Sequence, residues 1–254
     1  MAERPKLGQH FLFQEGILER IAEAACSAHE KLVVEIGPGR GSLTRRLLAH
    51  ADRVIAIEID PVLAAGLRAE FAGEPRLEIV EADVLATPLD QWGPAVIAGN
   101  LPYYITSPIL ARLIAARRAV RRAVFLVQKE VSARLAAAPG TRDYGYLTAE
   151  LALFFIAGEL FTVRPGAFRP PPKVDSAVVR LEACDRAAAL GITDPPAFLE
   201  FLARCFHQKR KTLRNNLAPY YGRERVGSQP EAQARAEQLT LDEFAALYRN
   251  LSGV

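Results

Sequence analysis

The feature that most constrains this chain is the alternation of short apolar runs with helical stretches across its first half. Residues 32–36, 53–57, 77–80, 95–98 and 123–127 are rich in Val, Ile and Leu and read as strands. Residues 43–51, 61–71 and 107–115 read as helices between them, the last with Thr106 or Ser107 as N-cap and Pro108 in its first turn. That order predicts a parallel sheet covered by helices. After Gly158 the pattern changes to two strand-like runs, 160–163 and 174–181, joined by the Pro-rich residues 164–173, which predicts an antiparallel hairpin closing the sheet. From about Ala183 the strand signal ends, and residues 195–206, 211–217 and 240–251 read as helices. The expected fold is α/β: a Rossmann-like, mostly parallel sheet with one antiparallel strand in residues 1–182, and a small all-helical domain in residues 183–254.

Of 254 residues, half are hydrophobic and a quarter charged, enough to bury a substantial core. No apolar stretch reaches the length that spans a bilayer, and Met-Ala-Glu-Arg-Pro-Lys at the start leads into no apolar signal region, so a cytoplasmic protein is expected. Cys26, Cys184 and Cys205 lack metal-ligand spacing and the four histidines are scattered, so no metal site is expected. The net charge of +3 identifies no partner, but its distribution is uneven. Arg117, Arg118, Arg121 and Arg122 form one basic cluster, and Lys209, Arg210, Lys211 and Arg214 another on an expected helix; both are candidates for phosphate contact.

Three strand ends carry the residue types of a nucleotide site. Glu35-Ile36-Gly37-Pro38-Gly39-Arg40-Gly41 ends the first strand and opens a helix, and its glycines let backbone approach a ligand with no Cβ in the way. The G-x-G-x-G spacing leaves only Ser42 for the third small residue of a dinucleotide fingerprint, and no G-x-x-x-x-G-K follows, which favours a nucleotide lacking a pyrophosphate. Glu58 ends the second strand, where an acid can accept from ribose hydroxyls, and Asp83 follows the third, placed to accept from an adenine amine. After the fourth strand comes Asn100-Leu101-Pro102-Tyr103: an amide that can accept from an exocyclic amine, a stiffening Pro, and an aromatic that can stack on a base. These are the requirements of methylating adenine N6. Tyr104 reads as packing.

Together with Leu7-Gly8-Gln9-His10-Phe11-Leu12, Gln128-Lys129-Glu130, the stretch from Phe168 through Arg169-Pro170-Pro171-Pro172-Lys173-Val174-Asp175 to Ser176, and Arg210-Lys211-Thr212-Leu213-Arg214-Asn215-Asn216-Leu217, these motifs cover nearly the whole chain. The chain resembles the small-subunit ribosomal RNA adenine dimethyltransferases, the bacterial KsgA family. The resemblance implies a class I methyltransferase fold, S-adenosyl-L-methionine as cofactor, and a pair of adjacent adenosines in the last small-subunit rRNA hairpin loop as substrate, each taking two methyl groups. It implies that His10, Leu12, Gly37, Glu58, Asp83 and Asn100 line the cofactor, with Gly39 in the same loop. Many relatives carry Asn where this chain has His10. The expected catalytic group is Asn100, Leu101, Pro102 and Tyr103, with Phe168 on the other face of the extruded base.

The expected partner is small-subunit rRNA in a precursor particle, met by a monomer. Two alternatives are a large-subunit adenine dimethyltransferase and an assembly checkpoint acting mainly by binding. The Phe168 to Ser176 stretch and Lys211-Thr212-Leu213-Arg214-Asn215-Asn216-Leu217 favour the small-subunit enzyme.

Overall fold

A computed structural model describes residues 10–253. The motif residues Leu7, Gly8 and Gln9 lie outside the described residues. Nine strands are assigned among these: β1 (Phe11–Leu12), β2 (Val33–Ile36), β3 (Val54–Glu58), β4 (Leu77–Glu81), β5 (Ala95–Asn100), β6 (Val120–Gln128), β7 (Phe155–Val163), β8 (Phe168–Arg169) and β9 (Ser176–Ala183). Helices α1 (Glu15–Ala25), α2 (Ser42–His50), α3 (Pro61–Glu70), α4 (Thr106–Ala115) and α5 (Lys129–Leu135) accompany the parallel strands. Then come α6 (Tyr146–Ala152), α7 (Arg186–Ala189), α8 (Pro195–Cys205), α9 (Leu213–Tyr221), α10 (Arg223–Gly227) and α11 (Leu241–Ser252).

Seven strands form one sheet in the order β4-β3-β2-β5-β6-β9-β7. β2 pairs in parallel with β3 and β5, and β6 pairs in parallel with β5, while β9 runs antiparallel to β6. β2 and β3 lie inside the sheet with both faces covered, and every residue of the two is buried. Glu35 and Glu58 are the charged ones among them. The sheet order reverses between β2 and β5, a switch point that leaves a crevice at the carboxyl ends of these strands. Gly99 permits the close approach there, since a Cβ on it would lie 2.5 Å from the carbonyl oxygen of Ile36. Ile21, Ala22, Leu47, Val96, Val124 and Phe168 belong to the core under α1 and α2. Fully burying an aliphatic side chain of this kind contributes roughly 1.5 to 3 kcal/mol.

Local signals explain the helix boundaries. Asp60 caps α3 by accepting from the backbone N–H of Val62 at 2.8 Å, with Pro61 at the first helical position. α4 begins differently from expectation. Neither Thr106 nor Ser107 acts as a side-chain cap; the helix grows out of a 3-10 turn over Tyr103–Ile105, and Thr106 turns its hydroxyl back onto the Pro102 carbonyl at 3.3 Å.

The chain divides into two compact units, and the division is not a single cut at residue 182. The first comprises Met1–Ser132 with Ala157–Ala183, the second Ala133–Ile156 with Cys184–Val254. Residues 133–156 join the helical unit because their partners are there: the backbone N–H of Cys184 donates to Phe154, that of Arg186 to Leu153, and that of Gly140 to Glu237. The core of this unit is aromatic. Phe198 stacks on Phe201, Tyr248 meets the two rings edge-on and tilted, all with centroids 5.3 to 6.0 Å apart, and the Tyr144 ring centroid lies 6.1 Å from that of Phe206.

Candidate active site

The crevice at the sheet's switch point is a cavity of about 260 Å³ lined by the ends of β2, β3 and β5, the turn after β4 and the segment around β1. His10, Leu12, Gly37, Gly39, Glu58, Asp83, Asn100, Leu101, Pro102 and Tyr103 all line it. They come from several separate places in the sequence.

The glycine loop has the backbone its sequence requires. Gly37, Gly39 and Gly41 have φ of 67, 58 and 78°, a region that other residues rarely adopt. The loop is held from below by Glu58, which is 3% exposed: one carboxylate oxygen accepts from the N–H of Gly39 and the other from the N–H of Asp60, each at 3.0 Å. Burial raises the Glu58 carboxyl above its ordinary range, opposed by those same N–H groups. Glu35 lies deeper still, accepting from the Thr44 hydroxyl at 2.6 Å, and burial pushes its carboxyl up to about 8. Asp83 is exposed at the cavity rim, and one of its oxygens accepts from the N–H of Leu85 at 2.8 Å. Two acids with further acceptor capacity, beside the apolar Ile59, Val84 and Leu85, make a wall suited to a ribose and an adenine.

Asn100 closes β5, and its side-chain Nδ2 donates to the carbonyl of His10 at 2.9 Å. With its donor so occupied, the amide keeps Oδ1 as an acceptor. The following loop is stiff: the Pro102 carbonyl receives both the Thr106 hydroxyl and the Ile105 N–H. A 3-10 turn sends successive side chains about 120° apart. Tyr103 leans on His10, ring centroids 5.6 Å apart, and its hydroxyl shares a 2.7 Å hydrogen bond with Ser176. Tyr104 goes elsewhere, 59% exposed at the cavity lip, where burial and the charges of Asp83 and Glu58 raise its phenol. It is not packing, contrary to expectation. The signal was available: adjacent aromatics on a tight turn cannot share one environment.

The His10 ring is tied to the Pro170 carbonyl through Nδ1 at 2.7 Å, so its polar contact is within the protein.

Phe168 differs from expectation. It is 2% exposed, a member of the core opposite Leu12, and not a cavity residue. The β1–β8 pairing explains this: in a strand alternate residues face opposite sides, and Phe168 takes the inner one. In this arrangement it offers no face to a base.

The basic clusters also need correction. Lys209, Arg210 and Lys211 lie in the turns between α8 and α9, and Arg214 alone of the four is helical. Lys209 donates to the Arg142 carbonyl and neighbours Glu237, and the Nε of Arg214 is buried, leaving Arg210 and Lys211 exposed. Arg121 pairs with Glu30, and Arg122 binds Glu182, Ser27 and the Ala25 carbonyl. Arg117 and Arg118 sit in the turn before β6. That is the opposite end of the parallel strands from the cavity.

A profile of the family described as "Ribosomal RNA adenine dimethylase" matches residues 1–251. The chain belongs to that family. Its relatives include "Ribosomal RNA small subunit methyltransferase A" of Acidobacterium capsulatum, 45% identical over 98% of this chain and 91% of the relative, and the protein of that name from Koribacter versatilis, 44% identical over 98% and 95%. Among solved structures, a dimethyladenosine transferase from Plasmodium falciparum superposes with a TM-score of 0.81 at 29% identity, covering 96% of this chain and 99% of the other. The 23S rRNA methyltransferase ErmE gives 0.73 at 29% identity over 95% and 99%. As a ribosomal RNA adenine dimethylase the chain is an S-adenosylmethionine-dependent methyltransferase acting on rRNA. The cavity fits that cofactor: glycine backbone where a Cβ on Gly39 would meet the Phe11 ring at 3.0 Å, and buried acceptors for a ribose. Among the described residues no group of three His, Cys, Asp or Glu side chains is placed to hold a metal ion, and no helix is long and apolar enough to cross a membrane.

Proposed function

We propose that this dimethylase converts two adjacent adenosines in the 3'-terminal hairpin loop of small-subunit rRNA to N6,N6-dimethyladenosine, acting as a monomer on a precursor small subunit in the cytoplasm. The observation that carries the reading is the orientation of Asn100, whose amide is committed to His10 by its nitrogen and keeps its oxygen for an amine. Relatives named for the small subunit at 44 to 45% identity, against 29% for the 23S enzyme, support the small subunit over the large one.

Adenine N6 is a poor nucleophile because its lone pair is delocalised into the ring. S-adenosylmethionine supplies an electrophilic methyl group, so no activated Ser, Cys or His is required. Glu58 would hold the ribose, Asp83 the adenine amine, and the Gly37–Gly39 backbone would face the methionine portion attached to the ribose. Asn100 Oδ1 and the Leu101 carbonyl accept the two amine hydrogens of the target base and turn its lone pair toward the methyl group; positioning and electrostatics supply the rate. Extruding a base costs a few kcal/mol, less in a loop than in a duplex. Tyr103, fixed by Ser176 and His10, recovers part of this by stacking, worth about 1 to 3 kcal/mol per base. Arg210 and Lys211 meet phosphates.

The test is methyl transfer from S-adenosylmethionine to unmethylated small subunits, read by primer extension across the terminal helix. Two adjacent stops that require this protein are expected. Modification confined to large-subunit RNA would overturn the reading.

A further inference from the structure

The antiparallel pair β1–β8 stands beside the cavity with two unlike faces. Leu12 and Phe168, opposite each other, are buried in the core. The neighbouring positions face outward as stacked cation–ring pairs: the Arg169 guanidinium lies 4.5 Å over the Phe13 ring and that of Arg40 lies 4.9 Å over Phe11. Phe13 is 40% exposed, so part of its ring is open to solvent beside the Arg169 guanidinium. Arg40, Arg164, Arg169 and Lys173 are all exposed, and none forms an ion pair among the described residues. From Arg164 to Val174 the chain has three cations and no acid. Arg121, Arg122 and Lys209, by contrast, are engaged by internal partners.

We propose that this outer face is the surface on which the single-stranded RNA flanking the target base docks. The inference rests on the reading that the cavity receives an rRNA adenine, and adds where the neighbouring nucleotides go. Three observations converge. The ribbon is joined to the reaction centre, since the His10 carbonyl receives the Asn100 amide, and Phe11 and Arg40 line the cavity mouth. Flat guanidinium–aromatic pairs offer stacking surfaces that accept any base, which suits nucleotides displaced when their neighbour is extruded. Arg169 on the ribbon, with Arg164 and Lys173 on the same connecting segment, offers exposed positive charge to a phosphate backbone, and no carboxylate pairs with them among the described residues.

Binding of an unmethylated RNA hairpin with the terminal small-subunit loop, measured over a range of salt, tests this. Every phosphate that is no longer neutralised lowers the slope of log affinity against log salt by roughly 0.7 to 0.9, so Arg169→Ala with Lys173→Ala should lower it by about 1.5. Phe13→Ala should weaken binding roughly tenfold with the slope unchanged, as removal of one stacking ring does. All should keep wild-type affinity for S-adenosylmethionine, and Arg118→Ala with Arg121→Ala should keep wild-type RNA binding. Where Phe13→Ala fails to fold, Phe13→Leu removes the ring and keeps an apolar side chain. Folded ribbon variants with wild-type RNA affinity and slope overturn the proposal while a methylating wild type upholds the function. A wild type that binds S-adenosylmethionine but neither binds nor methylates the hairpin and the small subunit overturns both.

Discussion

The side-chain nitrogen of Asn100 donates to the main-chain carbonyl of His10 across 90 residues of sequence. This bond decides which end of the amide faces the cavity. An Asn in a loose turn would present nitrogen or oxygen alike; here one N–H is anchored on His10 and Oδ1 is left as an acceptor for an amine, the polarity that adenine N6 demands.

Asn100→Ala is therefore expected to lower methyl transfer by on the order of 10² to 10³, the size seen when one preorganised polar group at a reacting centre is removed. RNA affinity should stay near wild type. Single-turnover transfer assays with a parallel binding measurement check this, and near wild-type turnover would refute the mechanism.

Glu58 has two structural bonds as well as the role toward the ribose proposed above. Glu58→Ala should weaken S-adenosylmethionine binding by at least the ~1.5 to 3 kcal/mol of a hydrogen bond to a charged group, because the glycine loop loses its support at the same time. Glu58→Gln, which keeps one acceptor, should fall between. Calorimetry showing unchanged affinity in both would remove Glu58 from the site.

Tyr103 and Tyr104 are adjacent in sequence and diverge in space. Tyr104→Ala should weaken cofactor binding by about 1 kcal/mol or more through removal of a ring over the Asp83 wall, with RNA affinity unchanged. Tyr103→Phe removes the Ser176 hydrogen bond and should affect the RNA-dependent step instead. Equal effects of the two on cofactor affinity would contradict this division.

Glu35 sets a pH dependence. Its carboxyl is raised from 4.5 to about 8 by burial, so the folded state binds a proton that the unfolded chain has released in between. The stability this contributes is full below pH 4.5 and is lost as pH rises toward about 8. Urea unfolding of the cofactor-free protein should show stability falling across that window by an amount on the order of a few kcal/mol. In Glu35→Gln the fall should be much shallower; an identical pH profile would show that Glu35 is ionised in the folded protein.

Much of this was legible in the sequence. The five parallel strands could be read because each is a largely continuous apolar run, and the ends of β2 to β5 could be read because Gly37, Glu58, Asp83 and Asn100 are of types that such runs do not need. What was hidden depends on partners distant in sequence. β1 and β8 have two residues each, too short for any periodicity, so the inward turn of Phe168 had no local sign. The partners of Arg121 and Arg122, Glu30 and Glu182, are tens of residues away, and a cluster of arginines looks the same whether or not acids meet it. Residues 209–211 resemble a helix start by composition, yet α9 begins at Leu213 after Thr212.

The helical unit is made from two separated stretches, 133–156 and 184–254, so the chain passes between units three times. A unit attached by one linker can be exchanged, lost or transplanted as a cassette; this one cannot. Cutting after residue 183 would strip Leu153, Phe154 and Gly140 of the partners their backbones use. Exchange of the helical unit must therefore carry residues 133–156 with it.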